Sequence, residues 1–233
     1  MSSERIPREA IAARLAEVGY VADRDLATAL WMMDYLKRPL LIEGEAGVGK
    51  TEVAKALAAV HGSELIRMQC YEGLDVSSSL YEWNYQRQLL AIKAREGTGA
   101  SVAEIEARIF SEDYLLERPL LSAIRRKAPP VLLVDEVDRA DEEFEAFLLE
   151  LLSDFQVSIP ELGTMTARSI PRVVLTSNTT RELSDALRRR CLYHYVDFPD
   201  VDREARIIVT RLPDIDAALA LQVARMVAAI RKE

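Results

Sequence analysis

Five short stretches of the chain are rich in apolar residues, and the segments between most of them have helical periodicity. The five stretches are residues 39–42, 64–70, 131–134, 173–177 and 192–198. Short continuous apolar runs are typical of strands that are buried on both faces. Because these strands alternate with helical segments, we predict an α/β fold in which helices cover a parallel five-stranded sheet.

The predicted helices around the first strand are well marked. Residues 4–17 and 24–36 precede that strand, and a third helix follows it and stops at Gly62. The apolar face of this third helix carries Val53, Ala54, Leu57 and Ala58. A glycine directly after the last apolar position is a common end signal for a helix.

Two segments are longer than the sheet requires. Residues 71–128 separate the second and third strands by more residues than one crossover helix requires. Residues 156–167 have the pattern of two short strands about a turn at 160–163. The elements predicted within the first segment are a helix at 81–95, a loop at 96–99, a helix that starts with a capping box at Ser101 and Glu104, and a helix at 115–127. From residue 202 onward the pattern is helical, with a break at 212–214.

Composition and charge limit the class of protein. With 233 residues, of which 49% are hydrophobic, the chain can bury a full core. The formal net charge of −8 argues against a protein that chiefly coats nucleic acid. No run of eighteen apolar residues is present, so we expect no membrane span, and the first five residues lack the apolar core of a signal peptide. We therefore expect a cytoplasmic protein.

The cysteines and histidines do not form a recognisable site. Cys70 and Cys191 are far apart in sequence, which favours two buried, reduced thiols over a disulfide or a zinc site. His61 and His194 are isolated, and we expect each to lie at a helix end or in a strand rather than to bind a metal.

A phosphate-binding loop follows the first strand directly. The segment has the pattern G-x-x-x-x-G-K-[ST] and consists of Gly44, Glu45, Ala46, Gly47, Val48, Gly49, Lys50 and Thr51. The glycines allow backbone N–H groups to converge on phosphates at the helix N-terminus. Lys50 would reach the β- and γ-phosphates, and the Thr51 hydroxyl would bind Mg²⁺. Strand, loop and helix in this order predict a site for a nucleoside triphosphate with Mg²⁺.

Polar residues at two later strand ends complete this predicted site. Asp135 and Glu136 follow the apolar run at 131–134. We predict that Asp135 holds Mg²⁺ through water and that Glu136 polarises the water that attacks the γ-phosphate. Asn178 ends the next strand, at the sheet edge where ligands bind in such folds, and is predicted to reach into the same cleft.

A short helix capped by Ser184 ends in three arginines, at residues 188–190. Cations stabilise a helix C-terminus, so a solvated basic helix end is one interpretation. The other is an arginine finger, which would stabilise transition-state charge on a neighbour's γ-phosphate.

In this order, the motifs resemble those of AAA+ ATPases: Walker A at 44–51, Walker B at 131–136, sensor 1 at Asn178 and finger arginines at 188–190. The resemblance extends over about residues 20–210. By the family pattern, Arg190 is the first candidate for the finger and Arg188 the second. The resemblance implies a P-loop NTPase fold, hydrolysis of ATP to ADP and phosphate, and a homo-oligomeric, hexameric ring that remodels a client.

Finer features are similar to the MoxR branch, and within it to CoxD-like proteins. The insert at 71–128 and the hairpin at 156–167 resemble MoxR inserts. The sequence segments at 41–52, 69–75 and 81–87 resemble the corresponding segments of CoxD-like proteins. That group implies a role in maturing the copper–molybdenum centre of carbon monoxide dehydrogenase, with a von Willebrand factor A domain protein as partner.

The resemblance also suggests a domain organisation. We expect an AAA+ core at 1–200 and an incomplete helical lid at 201–233, in which no sensor 2 residue can be assigned. Residues 20–21 occupy the position that closes over adenine in the family. Four aromatic residues of the insert either face a client or pack internally: Tyr71, Tyr81, Trp83 and Tyr85.

Two other classes of function are weighed against a protein remodeller. A nucleic-acid motor is disfavoured by the acidic balance and by the lack of a long basic stretch. A nucleotide-gated scaffold with little turnover is the third possibility, because the lid is expected to be incomplete.

Overall fold

A five-stranded parallel sheet lies at the centre of the computed structural model, which describes residues 6–95 and 101–231. The helices are α1 (Arg8–Glu17), α2 (Arg24–Leu36), α3 (Lys50–His61), α4 (Val76–Ser79), α5 (Tyr85–Lys93), α6 (Val102–Ile109), α7 (Pro119–Arg125), α8 (Glu142–Asp154), α9 (Asp185–Arg190), α10 (Val201–Arg211) and α11 (Ala217–Ile230). The strands are β1 (Leu40–Glu43), β2 (Leu65–Gln69), β3 (Tyr81–Trp83), β4 (Leu115–Glu117), β5 (Val131–Asp135), β6 (Gln156–Ile159), β7 (Gly163–Thr166), β8 (Arg172–Ser177) and β9 (Leu192–Tyr195).

The strand order in the sheet is β2-β5-β8-β1-β9, and every neighbouring pair is parallel. All five strands coincide with the predicted apolar runs to within a few residues. The predicted α/β fold is therefore confirmed. Because the strands are parallel, their carboxyl ends meet along one edge, and β1, β5 and β8 are adjacent there.

Alternation along the strands divides the core into two layers. In β5, Leu132 and Val134 pack with helices α7 and α8 on one face of the sheet, whereas Val131 and Leu133 pack with α1, α2 and α3 on the other. Side chains alternate across a strand, so a run that is apolar at every position must be covered on both faces. The four residues named here are fully buried.

The predicted helices before the sheet are confirmed. Helix α1 begins at Arg8, after Pro7, and predicted residues 4 and 5 lie outside the described residues. A proline disfavours helical conformation in the residue before it, so a helix that starts after Pro7 is expected. Helix α3 ends at Gly62, whose φ is 56°, as its sequence signal predicts.

Two predicted helices in the insert were wrong at their starts. Residues 81–83 form β3, which pairs antiparallel with β4 at 115–117, instead of the first turns of helices. Trp83 is buried and makes an edge-to-face contact with Phe110, so packing between distant segments overrides local periodicity. Pro119 is the first residue of α7, which keeps the preceding Arg118 extended and prevents a helix from starting at residue 115.

Other predictions for the inserts are confirmed. The Ser101 side chain and Glu104 form the predicted capping box at the start of α6. Strands β6 and β7 form the predicted hairpin, with Ile159 opposite Gly163. The predicted loop at 96–99 lies outside the described residues.

The C-terminal segment consists of α10 and α11, which pack against each other and are separated by the predicted break at 212–214. Asp216 caps α11 by accepting hydrogen bonds from the N–H groups of Ala218 and Leu219. Within residues 6–95 and 101–231, no helix has both the length and the apolar character that a membrane crossing requires.

Candidate nucleotide site

The glycine loop lies between β1 and α3, at the carboxyl edge of the sheet. Gly47 and Gly49 have φ angles of 84° and 95°, which non-glycine residues adopt only with strain. At Gly44 a side chain is excluded by space, because an added Cβ would lie 2.2 Å from the Val196 carbonyl oxygen. Helix α3 begins at Lys50, so its N-terminal end, with unpaired N–H groups, adjoins the loop.

Lys50 is folded over its own loop. Its side chain is buried, and Nζ donates hydrogen bonds to the carbonyl oxygens of Gly44 and Glu45, both at 2.7 Å. Burial lowers the pKa of Lys50, and the carboxylates of Asp138 and Asp135 oppose that shift. The ammonium group therefore lies beside the loop, among oxygen acceptors of the kind that a phosphate also provides.

Thr51 and Asp135, the two predicted magnesium ligands, lie next to each other. The Thr51 hydroxyl lies 3.1 Å from Asp135 Oδ1, and both residues line the same cleft as Lys50. Mg²⁺ prefers oxygen ligands and usually keeps several waters, with one or two carboxylates from the protein. A hydroxyl and a carboxylate beside a phosphate loop fit that preference, so Thr51 and Asp135 would hold the ion.

Asp135 has further partners that the sequence did not reveal. The Thr176 hydroxyl donates to Oδ1 at 2.6 Å, and Arg67 on β2 donates to Oδ2 from Nη2 at 2.6 Å and from Nε at 3.1 Å. Asp135 itself is almost fully buried. A charged residue between apolar ones is ordinary in a strand at the edge of a sheet. The sequence pattern therefore could not identify Arg67 as a partner of Asp135.

Glu136 adopts a left-handed backbone conformation, with φ 54° and ψ 51°. Such a conformation is costly for a non-glycine residue and is often found at functional sites. The Glu136 N–H donates to the Thr176 hydroxyl at 2.9 Å, and the carboxylate pairs with Arg139 at 3.2 Å. Its side chain is about one-third exposed and lines the cleft with Asn178.

Asp138 fixes the backbone on which Asn178 is placed. Its buried carboxylate accepts hydrogen bonds from the N–H groups of Asn178 at 3.2 Å and Thr180 at 2.9 Å, and from the Thr180 hydroxyl at 2.5 Å. Burial raises the pKa of Asp138, but these hydrogen bonds outweigh burial and hold the pKa below its ordinary value. Asn178 therefore lies at the edge of the cleft on a restrained loop.

A second buried acid holds the rest of that loop. Glu145 on α8 pairs with Arg181 and accepts a hydrogen bond from the Ser184 N–H at 2.9 Å. Arg181 also donates to the Ala140 carbonyl at 2.8 Å. The segment from the end of β8 to the start of α9 is thus bound to α8 and to the turn after β5. Sequence analysis missed Asp138 and Glu145, because acidic residues in and near a helix are common and do not reveal their partners.

Residues 20–21 line a second part of the cleft, beside Gly47, Val48 and Gly49. That they close over adenine stays a prediction. Burial raises the pKa of the Tyr20 hydroxyl to about 12, so Tyr20 stays neutral.

Three arginines of the C-terminal segment face this part of the cleft: Arg203, Arg211 and Arg231. Arg203 pairs with Asp23 at 2.9 Å, and Arg211 pairs with Glu52, directly after Thr51, at 2.8 Å. Sequence analysis did not single out these residues. Their only signal was their place in an amphipathic helical pattern, which does not say what a polar face contacts.

The finger candidates lie apart from the phosphate loop. Arg190 lines a groove with residues 36–39 of the α2–β1 connection and residues of α8, and it does not line the cleft of Lys50. Its guanidinium is exposed and makes no hydrogen bond or ion pair with a residue in the described ranges. Arg188 lies 3.8 Å from Glu182 and over the Tyr193 ring at 5.9 Å.

The aromatic residues of the insert divide into two pairs. Tyr81 and Trp83 pack against each other inside the insert, so for them the internal alternative holds. Tyr71 and Tyr85 have 49% and 61% of their surface exposed, which leaves them accessible to a partner.

The isolated cysteines and histidines occupy the positions expected for them. Cys70 and Cys191 are free thiols, and burial raises the pKa of each to about 12. His61 is the last residue of α3, and His194 lies in β9.

The sheet order, the glycine loop at the end of β1 and the acid pair at the end of β5 define a domain of the P-loop AAA+ class. The chain belongs to the AAA domain family of the dynein-related subfamily, whose sequence profile matches residues 39–191. The matched range contains the glycine loop, both acids, Asn178 and the three arginines of α9.

Several known proteins are similar to this chain. Gas vesicle ATPase GvpN of Haloferax mediterranei is 24% identical over 204 residues, covering 84% of this chain and 57% of GvpN. Midasin of Giardia intestinalis is 26% identical over 203 residues, which are 74% of this chain and 4% of midasin. Chaperone protein ClpD1 of Oryza sativa subsp. japonica is 29% identical over 140 residues, covering 60% of this chain and 13% of ClpD1.

A solved structure from Cytophaga hutchinsonii, named as an ATPase, superposes with a TM-score of 0.57 and 18% identity, covering 94% of this chain and 62% of that one. At this identity the likeness concerns the fold. The chain spans at most about three-fifths of the length of these relatives.

We predict that Asp138→Asn destabilises the protein by roughly 1–3 kcal/mol at pH 7, because an amide cannot accept all three hydrogen bonds. Since the folded-state pKa is lowered, the contribution of Asp138 is present above its unfolded pKa and is lost as pH falls through the folded value. Urea unfolding at pH 7 and near pH 3 measures both effects. Asp154→Asn, on the exposed end of α8, is the control and should change stability little. Equal loss in both variants would refute a special role for Asp138.

Proposed function

We propose that this protein hydrolyses ATP in the cleft between the glycine loop and the ends of β5 and β8. One observation carries the proposal: Lys50, Thr51, Asp135, Glu136 and Asn178 line a single cleft. These residues come from the start of α3, the end of β5 with the turn after it, and the loop after β8. They would supply the cation, metal ligands, base and polar contact that phosphoryl transfer requires.

Binding is the role of the glycine loop and of Lys50. The loop N–H groups would bind phosphate oxygens, and the Lys50 ammonium would exchange the Gly44 and Glu45 carbonyls for them. Mg²⁺, when bound by Thr51 and through water by Asp135, neutralises phosphate charge. Tyr20 and Val21 offer an apolar wall for the base beside residues 47–49.

Hydrolysis is the role of Glu136 and Asn178. The Asp135 carboxylate is buried and bound by Arg67 and two hydroxyls, whereas the Glu136 carboxylate is partly exposed, so the two acids can serve different roles. Glu136 would accept a proton from the attacking water, and Asn178 would orient that water or the γ-phosphate. The Arg139 ion pair keeps Glu136 in place until nucleotide binds.

Arg190 is proposed to act on a neighbouring molecule. Its exposed guanidinium lies in a different groove from its own phosphate loop, as a residue that serves a second subunit must. Family members typically oligomerise, and a hexameric ring would bring Arg190, with Arg188 as the second candidate, to the next subunit's γ-phosphate.

The work done with ATP is proposed to be remodelling of a protein client, in the manner of the MoxR branch. The support is the CoxD-like sequence segments at 41–52, 69–75 and 81–87. In addition, two proteins similar to this chain are named as a chaperone and a gas vesicle ATPase. A metalloenzyme of the carbon monoxide dehydrogenase type is the proposed client, with a von Willebrand factor A domain protein as partner. Tyr71 and Tyr85 are the proposed contacts of the insert.

We predict that Lys50→Ala abolishes ATP binding, whereas Glu136→Gln binds ATP normally and hydrolyses it at least about 100-fold more slowly. Lys50 contacts phosphate in the ground state, whereas Glu136 contributes when water attacks. Titration calorimetry and a phosphate-release assay distinguish the two effects. Unchanged turnover in Glu136→Gln would remove it as the base.

We further predict that Arg190→Ala binds ATP normally but loses about 10³-fold or more in turnover. Mixed with Glu136→Gln, it should partly recover activity, because some interfaces then combine an intact base with an intact finger. The mixture must be shown to contain both subunits in one oligomer. No recovery in such an oligomer would refute a shared site.

For the client, wild-type protein with ATP is expected to raise the copper content of immature carbon monoxide dehydrogenase. Tyr85→Ala should lose this effect and keep basal ATP hydrolysis, because Tyr85 is exposed in the insert. Tyr195→Ala, an exposed tyrosine outside the insert, is the control. Copper content that does not respond to ATP would exclude this client.

A further inference from the structure

Arg67 forms an ion pair with the proposed magnesium ligand. It lies in β2, next to β5, where Arg67 is opposite Leu133 and Gln69 is opposite Asp135. Both Nε and Nη2 donate to Asp135 Oδ2, and Nη2 also donates to Gln69 Oε1 at 2.7 Å. Two charged donors on one oxygen hold the carboxylate in a defined position.

The carboxylate of Asp135 is fully engaged by protein groups. Oδ1 accepts from the Thr176 and Thr51 hydroxyls, and Oδ2 accepts from Arg67. The Asp135 side chain is 4% exposed. Without Arg67, its hydrogen-bond donors among the described residues would be the two hydroxyls, and the Lys50 ammonium would act on its charge without a hydrogen bond. An uncompensated buried charge is strongly unfavourable.

The Arg67 side chain is exposed enough to move away from Asp135 when a metal ion takes its place. Its side chain is 51% exposed, in contrast to the buried carboxylate. The guanidinium can therefore move outward into solvent while Asp135 stays in place. The two hydroxyls hold Oδ1 and do not depend on Arg67.

We propose that Arg67 is a resident counter-ion of Asp135 that excludes divalent cations from the nucleotide-free site. The metal then enters only with a nucleotide, whose phosphates supply the negative charge that offsets the guanidinium. Arg67 is a positioning residue, because it acts through Asp135. This inference rests on the proposed assignment of Asp135 as a magnesium ligand.

The test measures binding of Mn²⁺ alone, as a spectroscopic substitute for Mg²⁺, to nucleotide-free protein by electron paramagnetic resonance. Wild type should bind Mn²⁺ weakly, and Arg67→Gln should bind it roughly tenfold or more tightly, since the buried carboxylate then lacks its partner. Arg67→Lys keeps the charge and should stay near wild type. Arg118→Gln removes an exposed arginine that pairs with Glu82 and is the matched control.

A second substitution tests whether the additional Mn²⁺ binds at Asp135. In the Arg67→Gln background, Asp135→Asn should abolish the added Mn²⁺ binding, because the carboxylate that attracts the ion is removed. If Arg67→Gln does not fold without metal, circular dichroism is followed as Mn²⁺ is added. Recovery of the fold supports the proposal, and failure to recover overturns it.

Equal Mn²⁺ affinity in wild type and Arg67→Gln would also overturn the proposal. ATP hydrolysis is not part of this readout, so the two hypotheses can fail separately. Tighter Mn²⁺ binding without any ATP turnover would uphold the role of Arg67 and reject the proposed function. Normal turnover with unchanged Mn²⁺ binding would do the reverse.

Discussion

Asp135 carries a buried negative charge, and three elements besides its own strand provide the donors that satisfy it. Arg67 comes from β2, Thr51 from α3 and Thr176 from β8. A buried carboxylate is tolerated only when such partners have good geometry, so these elements must keep their relative positions. The same positions bring the glycine loop and the acid pair to one edge of the sheet, where the proposed ATP site lies.

The neighbouring acids extend this constraint towards α9. Asp138 binds the backbone of Asn178 and Thr180, and Glu145 binds Arg181 and the start of α9. The helix that carries the finger candidates is therefore joined to the nucleotide site through buried charges. By contrast, the Arg211–Glu52 pair joins the C-terminal helices to the start of α3, and this pair is partly exposed. Exposed ion pairs contribute little stability, so this contact can open more easily than the buried ones.

Sequence analysis predicted the sheet and the phosphate loop because both depend on local signals. Continuous apolar runs identify strands buried on two faces, and the glycine loop has a fixed spacing. It failed at residues 81–83 and 115–117, where pairing between distant segments and burial of Trp83 decided the structure. Arg67, Asp138 and Glu145 were missed for the same reason: their partners are distant in sequence, and a charge has no periodicity that reveals its contacts.

The central hypothesis is that ATP binds in the cleft formed by the glycine loop and the ends of β5 and β8. Hydrogen exchange of the backbone amides, compared with and without ATP and Mg²⁺, tests it most directly because exchange reports local protection. Slower exchange is expected at residues 44–52, 135–138 and 176–180, and at residues 19–21 beside the base. Protection confined to another part of the chain, or no change at saturating ATP, would contradict the hypothesis.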